Sequence, residues 1–69
     1  MKQYVVIIEK GASSYGAYVP DLPGCVAVAK TRKAARKLIR EAIDLHLDSM
    51  RDEGLPIPKP SSTSEYIQV

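Results

Sequence analysis

The chain has 69 residues, of which 45% are hydrophobic and 26% are charged, and its formal net charge is +2. This composition predicts one globular domain over residues 1–69 and excludes a disordered, collagen-like or disulfide-dense chain, while the small net charge does not by itself indicate a nucleic-acid-binding protein. The single cysteine, the lack of a signal-peptide pattern and the shortness of every apolar run lead us to expect a cytoplasmic protein with no membrane span.

Three short strands are predicted in the first part of the chain. Residues 4–9, YVVIIE, are β-branched or aromatic on both faces of the pleat, which is typical of a central strand. A loop rich in Gly and Ser follows, and residues 15–19 predict the second strand. Residues 25–29 predict the third strand. Together these segments indicate a small antiparallel sheet.

A tight turn is predicted between the second and third strands, at Leu22-Pro23-Gly24-Cys25. Pro23 fixes the φ value wanted at the second position of a β-turn, and Gly24 can adopt the positive φ that a type II turn requires next. Asp21 is expected to cap this turn, with the backbone N–H of Gly24 as the nearest donor, since Pro23 has none.

One long helix is predicted to begin after an N-cap at Thr31 and to continue to about Glu53, where Gly54 provides a left-handed stop. At about 100° per residue its apolar positions fall in one stripe that should lie on the sheet. The members of this stripe are Ala35, Leu38, Ile39, Ala42, Ile43, His46 and Met50.

The segment after the helix, GLPIPKPSSTS, has three prolines between Pro56 and Pro60 and should be extended. Residues 65–69, EYIQV, predict a last short strand at the edge of the sheet. The predicted fold class is therefore α+β, a small antiparallel sheet with one helix packed on one face and the element order β-β-β-α-β.

The chemistry that an enzyme needs is not assembled in this sequence. A nucleophilic Cys25 would need a base, but the only histidine, His46, lies on the apolar stripe, and Asp44 and Asp48 project from the opposite side of the helix. Cys25 is expected to pack as a small hydrophobe and His46 as a core residue. We therefore predict no enzyme, cofactor or metal, and keep an enzyme that uses Cys25 or His46 as a distant alternative.

The charges on the helix are distributed against its macrodipole, which favours anions at the N-terminus and cations at the C-terminus. The first part carries the cations Arg32, Lys33, Arg36, Lys37 and Arg40, and the second carries the acids Glu41, Asp44, Asp48, Asp52 and Glu53. One explanation is a solvated face whose unfavourable charges are screened by salt. The others are an external partner: RNA phosphate, an acidic protein, or the acidic half of a second copy.

Three segments carry a family resemblance: YVVIIEK, YGAYVPDLPGCVAVAKT and EAIDLHLDSMRDEGLPIPKPS. They resemble the N-terminal domain of the HicB-like antitoxin family over nearly the whole chain. The resemblance implies a domain reminiscent of a trimmed ribonuclease H fold without catalytic carboxylates. It also implies a function, which is to bind a small mRNA-cleaving toxin of the HicA type and to mask its RNA-binding surface.

The sequence departs from the family pattern in two places. Many members carry a C-terminal DNA-binding segment, but no such segment is visible up to Val69, so we expect no DNA binding by this chain alone. The helix opens TRKAARK, where the family tends to have acids after the Thr cap. The alternative hypothesis is therefore a stand-alone RNA-binding protein that uses the basic start of the helix.

Candidate partner-binding residues come from the turn, the second strand and the basic start of the helix. They are Tyr15, Tyr18, Asp21, Leu22, Arg32, Lys33, Arg36, Lys37 and Arg40. One helix covers only one face of a sheet, so some large apolar side chains should remain exposed, and we expect a homodimer or a tetramer. Antiparallel pairing of two helices would place basic and acidic halves opposite each other.

Overall fold

The computed structural model describes residues 3–69 and contains one three-stranded antiparallel sheet and one helix, so the predicted α+β class is confirmed. The elements are β1 (Ile7–Lys10), β2 (Tyr15–Tyr18), β3 (Val26–Ala29) and α1 (Arg32–Asp52). The strand order is β1-β2-β3, which makes β2 central and leaves β1 and β3 as edges among the described residues. The prediction of a central first strand is therefore wrong.

The register of the sheet assigns each side chain to one of two faces. Ile8, Ala17 and Ala27 are in register and lie on the inner face, where they contribute to the hydrophobic core beneath the helix. Because side chains alternate along a strand, the neighbouring residues point to the opposite, outer face. Tyr18 and Val26 are exposed on that outer face.

The turn before β3 forms as predicted. Gly24 has a φ of +84°, and the backbone N–H of Cys25 donates to the carbonyl oxygen of Leu22 at 3.0 Å. A second bond, from the backbone N–H of Val19 to the carbonyl oxygen of Cys25 at 3.2 Å, joins the two sides of the turn. Leu22 and Cys25 are both buried, so the turn folds back into the core and does not project from it.

Both ends of α1 lie where the sequence analysis predicted them. The hydroxyl of Thr31 accepts a hydrogen bond from the backbone N–H of Ala34 at 3.1 Å, and Gly54 has a φ of +70° just beyond the last turn. Ala35 and Ile39 are the buried residues of the helix. Leu38 was predicted to lie on the sheet but is 41% exposed, because it stands at the margin of the apolar stripe.

The predicted last strand does not form. Residues 55–69 contain no strand, and Tyr66 and Ile67 are exposed. The order among the described residues is therefore β-β-β-α. A five-residue strand at a sheet edge would make only a few hydrogen bonds, and these must offset the conformational entropy lost by the chain. The proline-rich part of this tail is nevertheless attached to the domain, through Tyr4, whose hydroxyl donates to the carbonyl oxygen of Pro58.

Candidate functional site

A cluster of hydrogen bonds joins the turn before β3 to the C-terminal tail. The carboxylate oxygen Oδ2 of Asp21 accepts the backbone N–H groups of Ser61 and Ser62 at 3.0 and 3.1 Å. Its other oxygen, Oδ1, accepts the two serine hydroxyls at 3.0 and 2.8 Å. We call these three residues the Asp21 clasp. The predicted contact between Asp21 and Gly24 is wrong, because the tail supplies better-placed donors.

The clasp should respond to acid. Hydrogen bonds from Ser62 and Ser61 stabilise the charged carboxylate and lower the pKa of Asp21 from 3.8 to about 2. A carboxyl group whose pKa is lowered in the folded state stabilises that state at every pH above its ordinary pKa. This contribution to stability is lost as the pH falls from the ordinary pKa toward the lowered one. We therefore expect the amide resonances of Ser61 and Ser62 to move together in an NMR titration of the folded chain, with a midpoint near pH 2.

The Asp21→Asn variant provides the control for that titration. Its side chain keeps one acceptor oxygen and has no carboxylate to protonate, so the two serine amides should show no transition in this range. An unchanged transition in the variant would show that another group is responsible.

A groove lies between the inner side of the first strand and the start of α1. Its volume is about 1020 Å³. Its apolar lining consists of Val6, Ile8, Ile39 and Ile43, and its cations are Arg32, Lys33, Arg36, Lys37 and Arg40. The structure thus brings together all five predicted basic residues. We call this feature the basic groove, and its cations do not form salt bridges within the described residues.

The outer face of the sheet is the second exposed surface. Val26 and Val28 are 63% and 66% exposed, and Tyr18 is in register with Val26 and Ile7. Glu9 belongs to the same face by strand alternation. The outer face is therefore apolar with one acid, whereas the basic groove is apolar with five cations.

Besides Asp21, which is held in the clasp, two residues of the predicted partner-binding set lie apart from the basic groove and the outer face. Tyr15 is half-buried, and it shares the helix-covered side of β2 with Ala17, opposite to the side of Tyr18. Leu22 is fully buried in the hydrophobic core. Its side chain therefore offers no surface to a partner, and we remove it from the set. Nothing in the local sequence indicates this burial, because a leucine between Asp and Pro in a turn can be either buried or exposed.

Cys25 lies in the hydrophobic core with Val19 and Ile39. Burial raises the pKa of its thiol, which disfavours the thiolate that a nucleophile requires. His46 is half-buried on α1. Within residues 3–69 no cluster of three or more metal-ligating side chains is present, and α1 is not apolar enough to cross a membrane.

Comparison with known proteins identifies relatives along almost the entire chain. Residues 4–69 match the model of a family described as the HicB-like antitoxin of a bacterial toxin-antitoxin system. An uncharacterised 14.9 kDa protein of Haemophilus phage HP1 is 34% identical over 64 residues, which are 93% of this chain but 48% of the phage protein. This chain thus spans about half the length of that relative.

Shorter relatives are matched over most of their length. A UPF0150 protein of Helicobacter pylori is 38% identical over 64 residues, which cover 91% of this chain and 89% of that protein.

Among solved structures, the HicA3 and HicB3 toxin-antitoxin complex contains a similar chain, with a TM-score of 0.73 and 30% identity. That match covers 87% of this chain and 70% of the other.

Proposed function

This chain belongs to the HicB-like antitoxin family of bacterial toxin-antitoxin systems, and we propose that it binds a small toxin of the HicA type and masks the toxin's RNA-binding surface. It performs no chemistry in this role. The observation that carries the proposal is the likeness to a chain of the HicA3 and HicB3 complex, at a TM-score of 0.73 and 30% identity.

The outer face of the sheet is the better docking surface for such a toxin. A protein that cleaves mRNA must attract phosphate and is expected to be basic, so the cations of the basic groove would repel it. The outer face has exposed apolar side chains, among them Tyr18 and Val28, and an acid at Glu9. Interface cores favour aromatic residues and disfavour lysine, which fits the composition of this face.

A lysine at position 18 tests this surface. We expect Tyr18→Lys to weaken toxin binding at least ~10-fold, because it removes an aromatic anchor and adds a charge that the toxin repels. The toxin used is a purified protein of the HicA type, and the affinity is measured by calorimetry. Tyr66→Lys is the matched control, since Tyr66 is fully exposed on the tail.

Equal loss of affinity in both variants would contradict the assignment of the outer face and indicate a general effect of charge. No binding by the unmodified chain would contradict the proposed function itself. Circular dichroism establishes that each variant is folded.

Direct RNA binding is a second candidate, and the observation that favours it is the convergence of five cations on one groove. We would measure the affinity of single-stranded RNA for the chain and for an Arg36→Glu, Arg40→Glu double variant. Phosphate contacts would make the RNA affinity fall steeply with salt concentration. The double variant would lose most of the RNA affinity. If the double variant bound RNA as tightly as the original chain, the basic groove would be excluded as the RNA-binding site.

A further inference from the structure

The apolar part of the basic groove is recessed. Val6, Ile8 and Ile43 are half-buried and Ile39 is 2% exposed, so their side chains form a floor beneath the surface of the domain. This floor is open because α1 packs mainly on β3 and β2 and covers β1 less. The five cations of the groove are exposed and lie along its helical side. The groove thus combines an aliphatic floor with a cationic rim.

The cations of this rim repel one another in the free chain. Arg32 and Arg36, and likewise Arg36 and Arg40, are four residues apart on α1, a spacing at which like charges are unfavourable. They also lie in the first half of the helix, where the macrodipole favours anions. The one salt bridge of the described residues joins Arg51 to Asp48 and involves none of them. A bound anion would therefore relieve a repulsion that the fold leaves uncompensated.

Arg36 and Arg40 also line a second recess, which lies beside the C-terminal tail. Its lining includes Ser62 and Thr63, and the Asp21 clasp holds this part of the tail in place. The carboxylate of Asp21 does not line the recess and is occupied by four hydrogen bonds. In the described structure no acidic side chain lines either recess. The two arginines thus have neutral polar groups on one side and aliphatic side chains on the other.

We propose that the basic groove binds a single-chain anionic amphiphile, which is a molecule with a carboxylate or phosphate head and an unbranched aliphatic chain. Arg36 and Arg40 hold the head between the two recesses, and the chain lies on Val6, Ile8 and Ile43. The groove volume of about 1020 Å³ is at the upper end of the usual range for small-molecule sites. This binding is separate from the proposed function, because the toxin docks on the outer face of the sheet.

The floor of the groove favours an aliphatic chain over RNA. Proteins that bind single-stranded RNA stack its bases on aromatic side chains. The apolar lining of the groove is valine and isoleucine, without an aromatic side chain among the described residues. RNA would use the cations but would leave the aliphatic floor in contact with water, whereas an aliphatic chain buries that floor.

The recess also favours a free molecule over a membrane surface. Proteins that lie on a bilayer present protruding apolar side chains next to cations, so that these side chains enter the acyl region. Here the apolar side chains beside the cations are buried or half-buried, and the exposed Leu45 falls on the other side of α1. A single chain can enter the groove, but a flat bilayer cannot reach its floor.

The first test measures the binding of dodecyl phosphate by calorimetry, at ligand concentrations below those at which micelles form. We expect a dissociation constant of ~100 µM or lower, and at least ~10-fold weaker binding of octyl phosphate, because fewer methylene groups are buried. Dodecyltrimethylammonium, which has the same chain and a cationic head, should not bind. The bound phosphate should raise the melting temperature, since it binds the folded chain, whereas a denaturing detergent would lower it.

The second test removes the two arginines. Arg36→Gln combined with Arg40→Gln should weaken the binding of dodecyl phosphate at least ~30-fold, because both charged partners of the head are lost. Arg51→Gln combined with Lys59→Gln is the matched control, since it removes the same charge outside both recesses and should change the affinity less than ~2-fold. All four side chains are exposed, so both double variants should stay folded, which circular dichroism will check.

A third measurement locates the chain of the ligand. The methyl resonances of Ile8 and Ile43 should shift when dodecyl phosphate binds, because both side chains line the groove. Those of Val26 and Val28 should not shift, because these residues belong to β3 and do not line the groove. Shifts confined to Val26 and Val28 would place the ligand elsewhere and contradict the proposal.

No binding of dodecyl phosphate by the folded chain at concentrations up to ~1 mM would overturn the proposal. So would an affinity that does not depend on chain length, which would indicate a site for phosphate groups alone, such as those of RNA. Binding to vesicles of phosphatidylglycerol without binding of the monomeric amphiphile would overturn it in favour of a membrane surface. Tyr18→Lys should leave amphiphile binding unchanged while it weakens toxin binding, so the two proposals can fail independently.

Discussion

Replacing Leu22 with alanine is expected to lower the free energy of unfolding by about 2–5 kcal/mol, the range for deleting a large buried aliphatic side chain. Leu22 has 0% exposure and packs with Val19, Cys25 and Ile39. Few residues of this small chain are buried as deeply, so the surrounding structure has little other core to compensate. Urea denaturation followed by circular dichroism measures the effect.

Leu55→Ala is the control for that measurement, because the same atoms are removed from a side chain that is 47% exposed. It should lower the free energy of unfolding by less than about 1 kcal/mol. If Leu22→Ala were as stable as Leu55→Ala, the turn before β3 would not fold back into the core as described.

Gly24→Val should destabilise the domain by about 2–3 kcal/mol. Gly24 has a φ of +84°, a region that is strained for residues with a side chain and most of all for β-branched ones. A Cβ atom placed there would meet no atom within 4 Å, so the effect reports backbone strain rather than a clash. In a domain of this size the melting temperature should fall by roughly 10 °C or more.

Gly16 provides a matched position for the same substitution. It lies in β2 without a positive φ, and a Cβ atom there would also have no neighbour within 4 Å. Valine is favoured in strands, so Gly16→Val should be neutral or stabilising. Equal melting temperatures for the two valine variants would contradict the conformation of Gly24.

Local signals in the sequence were sufficient to predict the turn and the helix. Pro23 and Gly24 each restrict or permit a specific φ, and Thr31 and Gly54 act on backbone groups within a few residues. Such effects depend on neighbouring residues alone, so they can be recognised without knowing the rest of the fold. The five cations in the first part of α1 were likewise visible in the sequence, but the groove that they line with apolar side chains of the first strand was not predicted.

Contacts between distant parts of the chain could not be predicted in this way. Asp21 and Ser61 are separated by 40 residues, and the two serines after the proline run give no local indication of their partner. The burial of Leu22 depends on the position of α1, and the exposed edge of β1 depends on whether residues 65–69 pair with it. These features are set by the tertiary arrangement, which the pattern of residues left open.

Cleavage of mRNA by a purified toxin of the HicA type, measured with and without this chain, tests the proposed function most directly. The account predicts that this chain abolishes cleavage once it is equimolar with the toxin, and that Tyr18→Lys at the same concentration leaves cleavage largely intact while Tyr66→Lys inhibits like the original. Cleavage that continues unchanged in an excess of the unmodified, folded chain would contradict the account.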